Sequence, residues 1–315
     1  MRGLRTLLRP IAALSLVASI LLGSQVAGAT PTTDDQLNPG TVVMRVRGSV
    51  APAAATNLVY QGGRIETGPK RVYLVYWGSQ WSSDPSGEKA IEQNFFNGVG
   101  GTSWNNSVTQ YCSGVAVGST SCGTSGTHIT NPTAELKGVW SDNTVSVPAH
   151  PTQNQILAEA TKAAQHFGNT TAASNAQVQY VINTPTHHSM SGFGTSWCAW
   201  HDTQTTTSTV GPFAYVYMPY ITDVGSTCGS NFNGLGPNAG ITIVGGHEFA
   251  EAETDPFPEI SSKHYGWITN TGSTGQENGD LCAWNTLTAN ITLSTGTFPV
   301  QPLWSNATSS CVMSF

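Results

Sequence analysis

The run Val72-Tyr73-Leu74-Val75-Tyr76-Trp77 limits most what this chain can fold into. Six consecutive β-branched, aliphatic and aromatic residues lie between Gly68-Pro69 and Gly78-Ser79, which is how a buried strand reads. Val178 to Ile182 and Phe213 to Met218 read as strands for the same reason. A helix is expected over Glu88 to Phe96. A second is expected over Asn154 to Phe167, where Ile156, Leu157, Ala160, Ala164 and Phe167 share one face and Gly168 supplies a stop. The succession of strand, helix, strand, strand, helix predicts a mixed α/β (α+β) layer arrangement built on a mixed sheet. No internal repeat or low-complexity linker forces a division, so residues 58–315 are expected to form one domain.

The first 29 residues read as an export signal. Arg2, Arg5 and Arg9 precede an apolar stretch from Ile11 to Leu22, and Ala27-Gly28-Ala29 offers small residues for cleavage after Ala29. Twelve apolar residues rise about 18 Å as a helix, short of a hydrocarbon core of roughly 30 Å. A retained membrane span is therefore not expected. Residues 30–57, rich in Thr, Pro and Ala, read as a flexible N-terminal segment or short propeptide.

Six cysteines (Cys112, Cys122, Cys198, Cys228, Cys282, Cys311) follow the signal, and an even number in an oxidising compartment implies three disulfides. Fifteen pairings are open. Joining sequence neighbours, 112 with 122, 198 with 228 and 282 with 311, would close three loops, each worth about 2 to 4 kcal/mol. No C-x-x-C spacing suggests a cysteine zinc site. Between Gly98 and Asn131 the Gly, Ser, Thr and Asn content suggests an irregular excursion stapled by Cys112 and Cys122. Asn105, Asn169, Asn290 and Asn306 stand in N-x-S/T sequons.

Charge is scarce, and its placement carries the functional signal. Only 10% of the 315 residues are Asp, Glu, Lys or Arg, against roughly 25% in an ordinary soluble domain. Twelve basic residues face 18 acidic ones, and no basic run follows the signal, so a nucleic-acid partner is excluded. Seven of the 18 acids, Glu248, Glu251, Glu253, Asp255, Glu259, Glu277 and Asp280, crowd together, and Lys263 is the only Lys or Arg after Lys162. Such carboxylates repel unless solvated, protonated or bound to a cation.

The apolar lead-in Ile241-Thr242-Ile243-Val244-Gly245-Gly246 runs into His247-Glu248-Phe249-Ala250-Glu251, and Asp255-Pro256 ends any helix there. Positions i and i+4 share a helical face, so His247 and Glu251 are metal-ligand candidates, with Glu248 placed to work on a metal-bound water as general base. This is the geometry of the H-E-x-x-H zinc-peptidase helix with its second histidine replaced by glutamate. Gln276-Glu277-Asn278-Gly279-Asp280 offers the further ligand. Glu277 is expected to bind and Asp280 to orient His247, with the reverse assignment open. Asp255 is expected to be a helix-end residue and His264 to stand outside. His187, His188 and His201 are expected at the surface or in ordinary hydrogen bonds, although His201, three residues after Cys198, is worth testing. Zn2+ is the expected cofactor and Ca2+ the alternative, with a solvated acidic helix face as the reading that needs no metal. No G-x-S-x-G elbow is present, and His188-Ser189-Met190-Ser191-Gly192 lacks the context that would expose a serine nucleophile.

Several segments taken in order resemble one known family. They are Gly62-Gly63, Gly68-Pro69 with Val72 to Gly78, Ser196-Trp197-Cys198-Ala199-Trp200-His201, and Phe213 to Tyr217. They continue with His247 to Glu251, Thr254-Asp255-Pro256, Gly266-Trp267, Asp280-Leu281-Cys282 and Val300-Gln301-Pro302-Leu303-Trp304 before Cys311. The series, spread over residues 60 to 315, resembles the EXORDIUM or phosphate-induced protein family of plants and its bacterial and fungal relatives. The resemblance implies a secreted, wall-associated protein linked in plants to growth and nutrient responses. Two functions are therefore expected as alternatives. One is a secreted metal-dependent hydrolase, a zincin-like metallopeptidase acting on an extracellular protein or peptide. The other is a non-catalytic module that contacts a cell-wall component or signals, with a structural or vestigial metal site. Neither involves a membrane once the signal is removed.

Overall fold

The computed structural model describes residues 37–49, 56–204, 209–258, 265–269 and 276–315. The expected export signal, Glu259, Lys263 and His264 lie outside the described residues. Six strands, β1 (Val42–Arg45), β2 (Arg71–Trp77), β3 (Leu136–Asp142), β4 (Val178–Asn183), β5 (Trp197–Gln204) and β6 (Phe213–Met218), join in the order β1-β5-β6-β4-β2-β3. The inner pairs β2/β3, β2/β4 and β4/β6 are parallel, and β5 and β1 add to one side antiparallel. Mixed α/β architecture is thus as the sequence predicts.

The long apolar run becomes β2, buried from Val72 to Trp77, because helices cover both faces of the sheet. Alternation along the strand sends Tyr73 one way and Tyr76 the other. Tyr73 stacks on Tyr180 and meets Phe167, which follows helix α2 once that helix has ended. The Tyr76 hydroxyl donates to the Lys89 carbonyl in helix α1 (Glu88–Gly98). Helix α2 (Gln153–His166) begins with a reciprocal cap: Thr152 accepts from the Gln155 N–H while the Gln155 side chain accepts from the Thr152 N–H. It ends where Gly168 takes φ 74°, a conformation that favours glycine.

Helix α3 (Ala239–Thr254) is buried along its whole length, which is why its first half is nearly apolar on every side and why the polar groups of its second half face other protein groups instead of water. The apolar lead-in to His247 is the first half of this helix. Cys198–Cys228 ties β5 to the 3-10 segment 221–228 that precedes α3. A Cβ on Gly240 would fall 2.0 Å from the Cys228 carbonyl oxygen, so only glycine permits this approach. The other disulfides are Cys112–Cys122 and Cys282–Cys311, the sequence-neighbour pairing in full.

The N-terminal segment departs from expectation. Residues 42–45, read as flexible, form β1 on the edge of β5, with Val42 opposite His201 and Met44 opposite Ala199. The reason is tertiary: Val42, Val43 and Met44 suit a strand, but they gain order only from the open edge of β5, which is formed some 150 residues later. The hairpin β7 (Ala289–Leu293) and β8 (Gly296–Val300) packs on α3, where Thr242 donates its hydroxyl hydrogen to the Pro299 carbonyl at 2.6 Å. It delivers Gln301 to the site.

Candidate metal centre

Three elements converge on one buried point. Helix α3 supplies His247, Glu248 and Glu251, β5 supplies His201, and the loop 277–280 supplies Glu277 and Asp280. On β5, Ala199 and His201 project to one face of the sheet and Cys198 and Trp200 to the other, so the face that carries His201 meets α3. Asn278 anchors the loop to the helix, donating through Nδ2 to the Ala250 carbonyl at 3.0 Å and to Thr254 Oγ1 at 3.1 Å. The Trp304 backbone N–H donates to the Asn278 carbonyl at 2.8 Å, and Cys282–Cys311 holds the loop from beyond.

His247 Nε2 lies 3.1 Å from Glu251 Oε1 and 3.8 Å from Asp280 Oδ1. His201 Nδ1 lies 3.1 Å from Glu248 Oε2 and 3.8 Å from Glu251 Oε2, and its Nε2 is 3.6 Å from Glu277 Oε2. Donors bonded to one tetrahedral zinc at about 2.1 Å stand roughly 3.4 Å apart. Two sets gather their donor atoms within 4.8 Å of one another, His247/Glu251/Asp280 and His201/Glu248/Glu251, close enough to draw in around an ion. All these side chains are fully buried except Asp280, which is 16% exposed.

Surrounding groups fix the direction of the His247 ring. The Gln301 amide donates to the Gly279 carbonyl at 2.8 Å, which turns its oxygen toward His247 Nδ1 at 3.3 Å. Nδ1 therefore carries the hydrogen in the neutral ring, and the Nε2 lone pair faces Glu251 and Asp280. A lone pair opposed to carboxylate oxygens is repulsive unless a proton or a cation lies between. His247 Nε2, His201 Nε2, Glu251 Oε2 and both Glu277 oxygens find no hydrogen-bond partner among the described residues. Unpaired buried groups of this kind are costly, and the donor set fits a metal ion. The buried His/Glu cluster can therefore bind a metal.

The electrostatics agree. Loss of hydration pushes Glu248 and Glu251 up to about 8, with Asp280 adding to the effect on Glu248 and Glu248 adding to that on Glu251. Burial likewise lifts Asp255 and Asp280 to about 7 and Glu277 well above its ordinary value. Glu248 Oε1 accepts from the Met44 N–H at 3.3 Å, and Glu251 Oε1 accepts from the Asp280 N–H at 2.8 Å. A Cβ on Gly279 would stand 2.7 Å from His247 Nδ1 and 2.9 Å from Glu251 Oε1, so the site needs a glycine there for space.

Each residue singled out in the sequence now has a place. His247, Glu251 and Asp280 come together as one donor set. Glu277 faces His201 instead of His247, and Asp280, expected beside His247 as its orienting group, stands there on the Nε2 side as a donor, which is the reverse assignment left open above. Glu248 lies against His201. That histidine, expected at the surface or in an ordinary hydrogen bond and marked for testing, is fully buried in the cluster and in contact with Glu248. The available signal was a histidine inside an otherwise apolar strand run, Trp197 to Trp200. Gln301 gave no signal, since nothing in Val300-Gln301-Pro302 says what it faces. Asp255 ends α3 and accepts from the Gly266 N–H at 2.9 Å. Glu253 leaves the cluster to pair with Lys70 at 2.8 Å, both fully buried, so the acidic helix face is neither solvated nor wholly without a cation. His187 is exposed beside Asp223, and His188 Nδ1 meets the Thr186 carbonyl. Comparison with protein-family models, with curated proteins and with solved structures gives no match to this chain.

Proposed function

We propose that this protein is an exported metal-dependent hydrolase, a zincin-like peptidase in the chemistry of its helix. The observation that carries the reading is the approach of His247 Nε2, Glu251 Oε1 and Asp280 Oδ1, with Glu248 on the adjacent helical position. A divalent cation bound there would supply Lewis-acid polarisation and a water acidic enough to be deprotonated near neutral pH. An imidazole nitrogen in the donor set favours zinc over calcium, which prefers oxygen throughout. Glu248 accepts the proton at Oε2 and passes it to the leaving amine. The Met44 N–H, donating to Oε1 at 3.3 Å, and His201 Nδ1, 3.1 Å from Oε2, hold that carboxylate in place. Burial keeps its proton affinity near neutrality, where a base is most useful.

Three disulfides support an oxidising, extracellular setting, and no helix among the described residues is long and apolar enough to cross a membrane. The substrate class is then an extracellular protein or peptide. Membership of the EXORDIUM or phosphate-induced family belongs to the same proposal and rests on the motif series alone.

Glu248→Gln tests the mechanism. Turnover of a peptide library should fall by about 10²- to 10⁴-fold while the ion held by His247, Glu251 and Asp280 stays bound. Unchanged turnover in that variant would refute the role. One observation favours a second reading, a structural metal centre: only Asp280 among the donors touches solvent. That reading predicts a metal-dependent rise in melting temperature and no cleavage of any peptide.

A further inference from the structure

We propose that the centre takes two divalent cations, with Glu251 bridging them. This goes beyond the hydrolase reading and does not depend on it, since a structural centre would bind the same number. The two oxygens of Glu251 address different partners. Oε1 lies 3.1 Å from His247 Nε2, on the side of Asp280. Oε2 lies 3.8 Å from His201 Nδ1, on the side of Glu248. Each side offers one imidazole nitrogen and two carboxylate oxygens within 4.8 Å of one another. Glu251 Oε2 is itself fully buried and without a hydrogen-bond partner among the described residues, aimed into the second set.

Each histidine has an acceptor on its remote side. His247 Nδ1 has Gln301 Oε1 behind it at 3.3 Å, and His201 Nε2 has Glu277 Oε2 behind it at 3.6 Å. An acceptor behind the remote ring nitrogen is the usual support for a metal-binding imidazole; His247 has it in Gln301, and His201 has a carboxylate on that side just beyond hydrogen-bond distance, with opposite nitrogens turned inward. Charge points the same way. Glu248, Glu251, Asp255, Glu277 and Asp280 are in contact with no Lys or Arg among the described residues. One dication offsets two of five carboxylate charges, and two offset four. Mixed imidazole and carboxylate donors suit Zn2+ or Mn2+, and carboxylate-rich two-metal sites are an established arrangement. With both positions filled, Glu248 Oε2 serves as a ligand, so the base role proposed above belongs to the centre loaded at the first position alone. Glu248→Gln then weakens the second position and leaves the first occupied.

The test uses the full chain, stripped with a chelator and titrated with Zn2+ or Mn2+ alone. The expected result is two equivalents bound and, with Mn2+, an exchange-coupled electron paramagnetic resonance spectrum. His201→Ala and His247→Ala should each retain one equivalent and give the spectrum of an isolated ion. One equivalent in the unaltered chain, or two with no magnetic coupling, overturns the proposal. Should either variant fail to fold, the spectrum of the unaltered chain decides. A single equivalent with turnover sensitive to Glu248→Gln would remove the second ion and leave the hydrolase reading intact. No bound metal at all would remove both.

Discussion

At the scale of single residues, the site depends on groups that are not ligands. Gly279 is the clearest, because any Cβ there would press on both His247 and Glu251. Gly279→Ala should lower Zn2+ affinity by about 10- to 100-fold, the usual range when support around a ligand is disturbed. Competition against a chelating dye measures this, and an unchanged affinity would show that the loop yields without moving the ring. Neither Gly279 nor Gln301 could be read from the chain alone, since a glycine kept for space looks like a glycine kept for a turn. The φ of −78° at Gly279 is one any residue adopts. His201 was partly legible: strands alternate faces, so a histidine two residues from Ala199 must share its face, but which element covers that face is not a local property.

At the scale of elements, legibility follows how much of the reason for an element lies within it. Strand β2 and helix α2 were legible because a continuous apolar run and a 3.6-residue apolar repeat are local patterns. The cap of α2 is local too. Thr152→Ala should cost about 1 kcal/mol, seen in urea unfolding, with metal content unchanged; a loss of metal would mean that α2 reports on the site. Strand β3 was not legible because its alternate residues are only half-buried at the sheet edge, and an inward Gly138 and an outward Val139 break the apolar alternation. Strand β1 escaped because its order comes from β5. Helix α3 was legible at its His-Glu turn, whereas its apolar first half, uniform in burial, carries no periodicity to distinguish helix from strand.

At the scale of the whole molecule, burying so many carboxylates makes folding, pH and metal one linked equilibrium. Glu248, Glu251, Asp255 and Asp280 rise from ordinary values of 4.5 or 3.8 to about 7 or 8 in the folded chain, chiefly through burial. A raised carboxyl pKa means the fold favours the protonated form, so this contribution is complete below about pH 4 and is lost as pH rises through about 7 to 8. In chelator the melting temperature should therefore fall from about pH 5 to about pH 8. Saturating Zn2+ should flatten or reverse that fall, because the ligands bind deprotonated. Parallel curves with and without Zn2+ would count against a metal at these carboxylates. The sequence by itself determined the layered α/β class, the number of disulfides and the pairing of His247 with Glu251, since these rest on local patterns and a cysteine count, while which cysteines join waited on the fold. Only the tertiary structure decided that His201, Asp280 and Gln301 join them, because those contacts depend on which faces of distant elements meet.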